Sequence, residues 1–297
     1  MPAIAPTAAL ACGLLAAWLP APPALRRPPP LPSPPAVGAA LDAHGYRARY
    51  RLVTVGQVVG HAEVWLGPIS HGGREGPTRT LHVEARTEGT FGRLVPAAGV
   101  YEATLDAATL TPRRTSLSYR RPRRGARRGY PRAARTRLTF DPPRGTVTRA
   151  RAGRASTLPA APGTHDPLSW MLALAARRPA PGDRLSFGVM TQNRRVRVTV
   201  QVDEARRVGT PSGLTRALRA AGQVLVWWPE PRLAAGAPHR PRRAGWAITV
   251  WLDPASPSGL PVRVDTSLSW AGPLRVELER MARLTGEVPE TTPSGQQ

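Results

Sequence analysis

At 297 residues the chain is long enough for one large β domain or two ordinary ones. All 42 basic residues are Arg, and Ala, Pro and Gly are heavily used, so the net charge of +23 reflects codon composition and overstates any selection for basicity. That charge favours phosphates, but no stacking aromatics are interleaved with the Arg and no reading helix is recognisable, which argues against nucleic acid as a partner.

Residues 3–21 are apolar and uncharged, and Pro20, Pro22, Pro23 and the run Pro28-Pro29-Pro30 follow. A short apolar segment ending in small residues and helix breakers reads as a signal peptide cut after Ala21 or Ala24, or as a membrane anchor if it is not cut. The basic residues that usually precede such a segment are missing, and Arg26-Arg27 lie after it. Cys12, the only cysteine, sits inside this segment as a small apolar residue, so the folded domain has neither disulfide nor cysteine metal ligand. The expected map is a signal or anchor over 1–24, a Pro/Ala-rich spacer over 25–43, a single β domain over 44–285 and a disordered tail over 286–297. The expected location is the periplasm or cell envelope.

Within the domain, short β-prone runs alternate with turn residues. Tyr46 to Val53 and Val58 to Leu66 predict an opening hairpin over Gly56-Gln57, and strands are expected over 80–87, 100–105, 115–119, 136–140 and 146–149. Next comes a helix over 166–177. Asp166 can accept from free N–H groups of its first turn, Pro167 suits the first helical position, and Pro179 ends it. Leu168, Met171, Leu172 and Ala175 share one face, which should bury against the sheet. Beyond Gly182, strands are expected over 184–190, 194–202, 214–220, 223–228, 247–252, 262–267 and 274–281. One helix among a dozen strands, without βαβ alternation, predicts a mainly β fold: a large curved antiparallel sheet or partly closed β-barrel with one packed α-helix.

Several segments carry a family resemblance. They are the 46–66 hairpin with Gly60, Leu105-Asp106 with Leu110-Thr111-Pro112, Thr139-Phe140-Asp141, and above all His165-Asp166-Pro167-Leu168-Ser169 followed by Pro181-Gly182-Asp183. Thr210-Pro211-Ser212-Gly213, Val250-Trp251-Leu252-Asp253 and Leu260-Pro261-Val262-Arg263 extend it. The chain resembles the bacterial envelope family known as domain of unknown function 3108, over roughly residues 45 to 280. The resemblance implies an exported protein of curved β architecture and carries no activity with it. The chain departs from the pattern at an Arg-rich insertion between Ser118 and Arg137 and at a Pro-rich stretch between Trp228 and Trp246.

No catalytic residue, metal ligand or cofactor site can be assigned. A G-x-S-x-G nucleophile signature is missing, no His pair has zinc-ligand spacing, and no glycine loop could cradle phosphate. His165 beside Asp166 is the one tempting pair, and a capping Asp next to a loop His explains it without catalysis. The segment from Arg113 to Arg137 holds eleven Arg and no acid. It reads as an inserted loop in which Arg120, Arg121, Arg123, Arg124, Arg127 and Arg128 bind anionic lipid or lipopolysaccharide, or as a merely solvated one. Trp227, Trp228 and Trp251 are candidate ligand-binding residues, with core packing as the alternative. Together these features point to an exported, non-enzymatic envelope protein whose concave face takes a lipid-like or extended ligand or an envelope protein. The alternative is a hydrolase of envelope glycans. A long apolar groove would favour the first, and a cleft with two close carboxylates the second.

Overall fold

Valines and leucines at every second position make strands with one face to bury, and among the described residues fourteen such strands join edge to edge in a single antiparallel sheet. The computed structural model describes residues 41–72, 76–94, 97–121, 132–192, 195–227, 245–268 and 272–284. The first eight strands are β1 (Tyr46–Thr54), β2 (Gln57–Ser70), β3 (Thr78–Thr87), β4 (Ala98–Asp106), β5 (Pro112–Arg121), β6 (Arg132–Asp141), β7 (Thr146–Arg151) and β8 (Arg154–Pro159). The other six are β9 (Arg184–Met190), β10 (Arg195–Thr210), β11 (Gly213–Trp227), β12 (Gly245–Leu252), β13 (Arg263–Leu268) and β14 (Gly272–Arg283). Among the described residues two helices, α1 (Gly89–Leu94) and α2 (Ser169–Ala176), interrupt the series.

Every strand pairs with its sequence neighbours except at one place. β14 pairs with β1, while β8 and β9 stand at opposite edges of the sheet. The chain is thus a meander that would form a complete ring but for one gap, and the segment that crosses the gap carries α2. The edges approach through side chains: Met190 of β9 packs with Leu138, Phe140 and Val147 of β6 and β7. The β9 edge is itself covered, since His165 N–H donates to the Gly188 carbonyl at 2.8 Å and Met190 N–H donates to the His165 carbonyl at 2.8 Å.

The inner face is continuous. Tyr46, Ala48, Tyr50 and Leu52 of β1, Leu81, Val83 and Ala85 of β3, and Val196, Val198, Val200 and Val202 of β10 are all buried and contribute to one core. The alternation read in β10 therefore holds. Close strand approach is set by glycine. A Cβ at Gly60 would lie 2.1 Å from the Arg86 carbonyl oxygen, and one at Gly222 would lie 1.9 Å from that of Thr199. Arg79, in the inward row of β3, is 2% exposed, donates from Nε to the Gly67 carbonyl at 2.7 Å and reaches the His44 carbonyl with a second nitrogen. Burial pushes its pKa down to about 10, and the bonds fasten the approach to β1 over one end of the sheet.

The structure corrects the sequence map in three places. The runs expected over 214–220 and 223–228 are not separate: Gly213–Trp227 is one strand, β11, paired with β10 at fifteen positions, and residue 228 lies outside the described residues. β8 and α1 were not anticipated; β8 is largely exposed or half-buried, so it lacks the apolar alternation that marks a strand. In the Arg-rich segment the strands expected over 115–119 and 136–140 are present but run further into the span read as an inserted loop: β5 and β6 pair from Arg114↔Thr139 to Arg121↔Arg132, with Thr115, Leu117, Thr136 and Leu138 buried. Arg alternates there with small or apolar residues, the pattern of a half-buried strand. Its middle, 122–131, lies outside the described residues.

Candidate functional site

Helix α2 begins where the sequence punctuates it. Asp166 Oδ1 accepts from the Leu168 N–H at 2.7 Å and the Ser169 N–H at 2.9 Å, so a turn over 166–168 precedes a helix that starts at Ser169, three residues later than expected. The helix is apolar all round. Trp170, Ala173 and Leu174 are fully buried, with Trp170 5.8 Å from the Phe187 ring. In the expected buried stripe only Leu172 is fully buried, while Leu168, Met171 and Ala175 are partly exposed. The curved sheet leaves room on that side, and the stripe looks into a cavity.

This cavity, of about 90 Å³, lies between α2 and the inner faces of β1–β3 and β12–β14. Its floor includes Leu52, Ala62, Leu81, Val83 and Ile248, and the helix side contributes Pro167, Leu168, Met171 and Leu172. Val64, Leu168, Met171 and Val276, all partly exposed, form its rim. Among the described residues, only Tyr50 and Thr266 bring polar side-chain groups to the lining. Both are already satisfied, because Tyr50 Oη donates to the Pro261 carbonyl at 2.8 Å and Thr266 Oγ1 to that of Ala247 at 3.2 Å. Complete burial pushes the Tyr50 hydroxyl pKa well up, so it stays neutral. Among the described residues no carboxylate lines the cavity. Such a surface offers hydrocarbon contact and nothing that would orient a polar substrate.

Just before the helix, Ser169 Oγ accepts from the Asp166 N–H at 3.0 Å and lies 3.3 Å from His165 Nδ1. A serine, a histidine and an aspartate thus meet, but at 0–1% exposure no substrate carbonyl could reach the hydroxyl. Asp166 is not the helix cap the sequence suggested: Leu168 takes the N-cap position without a side-chain cap, and Asp166 Oδ1 instead accepts from the two backbone N–H groups of the turn ahead of the helix. Desolvation, reinforced by Arg177 and opposed by a backbone hydrogen bond with Leu110, pushes the His165 pKa down to about 4. Desolvation also raises the Asp166 pKa against hydrogen bonds from Tyr101, Ser169 and Leu168.

The candidate residues named from the sequence lie elsewhere. Trp251 is on β12 between the buried Val250 and Leu252, and so stands on the outer face; its Nε1 donates to Asp265 Oδ2 at 2.9 Å and Arg263 lies 5.7 Å from its ring. Trp227 ends β11 opposite Arg195, and Trp228 lies outside the described residues. Arg120 and Arg121 are paired near the end of β5, while Arg123, Arg124, Arg127 and Arg128 lie outside the described residues. The cavity lining went unassigned in the sequence. Its one readable sign was the Leu168–Met171–Leu172 stripe.

Among the described residues, no helix is long and apolar enough to cross a membrane, and no group of His, Cys, Asp and Glu could hold a metal ion. No curated protein matches the chain. Among solved structures, a β-barrel-like protein of domain of unknown function DUF1849 from Brucella abortus is similar with a TM-score of 0.52 at 13% identity, covering 82% of this chain and 99% of that one. That likeness concerns the fold alone. A chain from Parabacteroides distasonis, provisionally described as a lipoprotein, gives a TM-score of 0.35 at 8% identity over 82% of this chain and 98% of that one. The model of the family described as protein of unknown function (DUF3108) matches residues 46–279, nearly the whole sheet from β1 to β14, and the chain belongs to that family.

Proposed function

We propose that this chain is an exported envelope protein that holds the hydrocarbon chain of a lipid-like ligand inside its curved sheet, beneath α2. The observation that carries the reading is the cavity lining, in which every polar group is already spoken for. A free volume of about 90 Å³ is smaller than the roughly 150 Å³ dry cavity known to take up benzene. An incoming chain therefore has to displace the rim. Met171 suits that task, because an unbranched thioether side chain repacks at little cost. Each methylene then buried contributes about 0.8 kcal/mol.

Two sequence features support the envelope setting. Residues 3–21 form an uncharged apolar stretch ahead of a Pro-rich spacer. Arg120, Arg121, Arg123, Arg124, Arg127 and Arg128 fall in one short run, which would attract anionic lipid or lipopolysaccharide, at about 1 kcal/mol per Arg near such a surface. The test is purification of the full chain from bacterial envelope extract without denaturant, followed by mass spectrometry. A co-purifying lipid carrying an acyl chain, lost after delipidation together with a fall in thermal midpoint, is the expected result. Recovery of the chain from the cytosolic fraction, or free of any apolar molecule, would refute the reading.

A further inference from the structure

On the outer face, opposite the apolar core, β1 to β6 form a trough of about 730 Å³. Its floor is a cross-strand cluster on β3 and β4. His82 faces Glu102 in register, and its Nδ1 lies 3.8 Å from Glu102 Oε1 while its Nε2 lies 3.1 Å from Glu84 Oε1. The two carboxylates, 56% and 45% exposed, thus converge on one imidazole and keep oxygens open to solvent. One wall is Trp65, whose ring is held between Arg47, 5.2 Å above it, and the edge of His82 at 5.1 Å. Glu63 fixes Arg47 in turn.

The other wall is cationic. Arg114 and Arg137 line it on β5 and β6 with no acidic partner among the described residues, and Arg135 donates from Nε to Ser116 Oγ at 3.3 Å. Three guanidinium groups on one wall are suited to bidentate pairing with a carboxylate or phosphate. The two glutamates on the floor need the opposite chemistry: as acceptors only, they take hydrogen bonds from hydroxyl or ammonium donors and repel bare anions. A flat anionic membrane fits neither the concave shape nor the acidic floor.

We propose that this trough binds an acidic saccharide, a sugar chain whose anionic substituents lie against Arg114, Arg135 and Arg137 and whose hydroxyls donate to Glu84 and Glu102. The assignment is independent of the interior cavity, since the trough lies on the other side of the sheet.

Calorimetric titration of the full chain with trigalacturonate, maltotriose and inorganic phosphate tests it. Trigalacturonate should bind at least tenfold more tightly than the neutral maltotriose. The Arg114→Gln/Arg135→Gln/Arg137→Gln variant should bind trigalacturonate at least tenfold more weakly. The Glu84→Gln/Glu102→Gln variant separates saccharide from simple anion: it should weaken trigalacturonate binding at least tenfold while leaving phosphate binding unchanged or tighter. Thermal unfolding verifies the fold of each variant, and if the triple variant unfolds, Arg137→Gln alone should still weaken trigalacturonate about threefold. The proposal is overturned if trigalacturonate does not bind, if the Arg changes leave it unaffected, or if the Glu changes tighten it as they tighten phosphate.

Discussion

Trp170→Ala is expected to lower the unfolding free energy by about 3–5 kcal/mol, the range for truncating a buried large aromatic residue. The side chain is fully buried and is part of the main core cluster, so its removal opens a hole that α2 cannot close by shifting alone. Trp170→Phe should cost far less. The indole Nε1 is buried with no hydrogen-bond acceptor among the described residues, and phenylalanine removes that unsatisfied donor along with some volume. Relief of such a group is worth about 1–3 kcal/mol and offsets much of the lost packing. Denaturant titration of both variants checks the pair; similar losses for Ala and Phe would mean that the N–H is satisfied and contributes to holding the helix.

Acid should destabilise the fold through His165 before most carboxylates protonate. Its pKa is about 4 in the folded chain and about 6.5 when unfolded, so between these values the unfolded chain binds a proton that the folded one excludes. Stability associated with the neutral ring is complete above pH 6.5, falls as pH drops toward 4, and changes no further below that. The loss amounts to about 3 kcal/mol. Asp166 acts in the opposite sense, because its raised pKa lets the folded chain take up a proton more readily as pH falls. His165→Asn keeps a polar amide at the site and removes the titration. The difference in unfolding free energy between the natural chain and this variant should therefore change by about 3 kcal/mol between pH 6.5 and 4. Parallel pH profiles would show that His165 is accessible to protons in the folded state.

The strands were legible because one face of the sheet is buried, which imposes alternation as clear as that of Val196, Val198, Val200 and Val202. The helix was placed by its punctuation, Asp166 and Pro179, but its packing was not readable from its pattern. With Trp170 and Leu174 apolar on one side and Leu168 and Met171 on the other, periodicity cannot decide which side meets the sheet, and curvature decides it. In the Arg-rich segment the runs 115–119 and 136–140 were readable as strands, but their extension to Arg121 and back to Arg132 was not, because guanidinium groups at alternate positions resemble a solvated loop until the pairing of Ser116 with Arg137 is known. The trough was hidden for a related reason. His82, Glu84 and Glu102 become neighbours only through the register of β3 against β4, and nothing in their spacing along the chain announces it.

Titration of the delipidated chain with a fluorescent twelve-carbon fatty acid, beside the Ala62→Leu variant, is the most direct measurement of the interior site. Ala62 lines the cavity, so the larger side chain occupies space that the ligand needs while leaving the outer face untouched. Excluding three methylenes should cost about 2.4 kcal/mol, or roughly fifty-fold in affinity, with the thermal midpoint equal to or above that of the natural chain. Equal affinity in the two proteins, or no binding by the natural chain, would contradict a hydrocarbon site beneath α2.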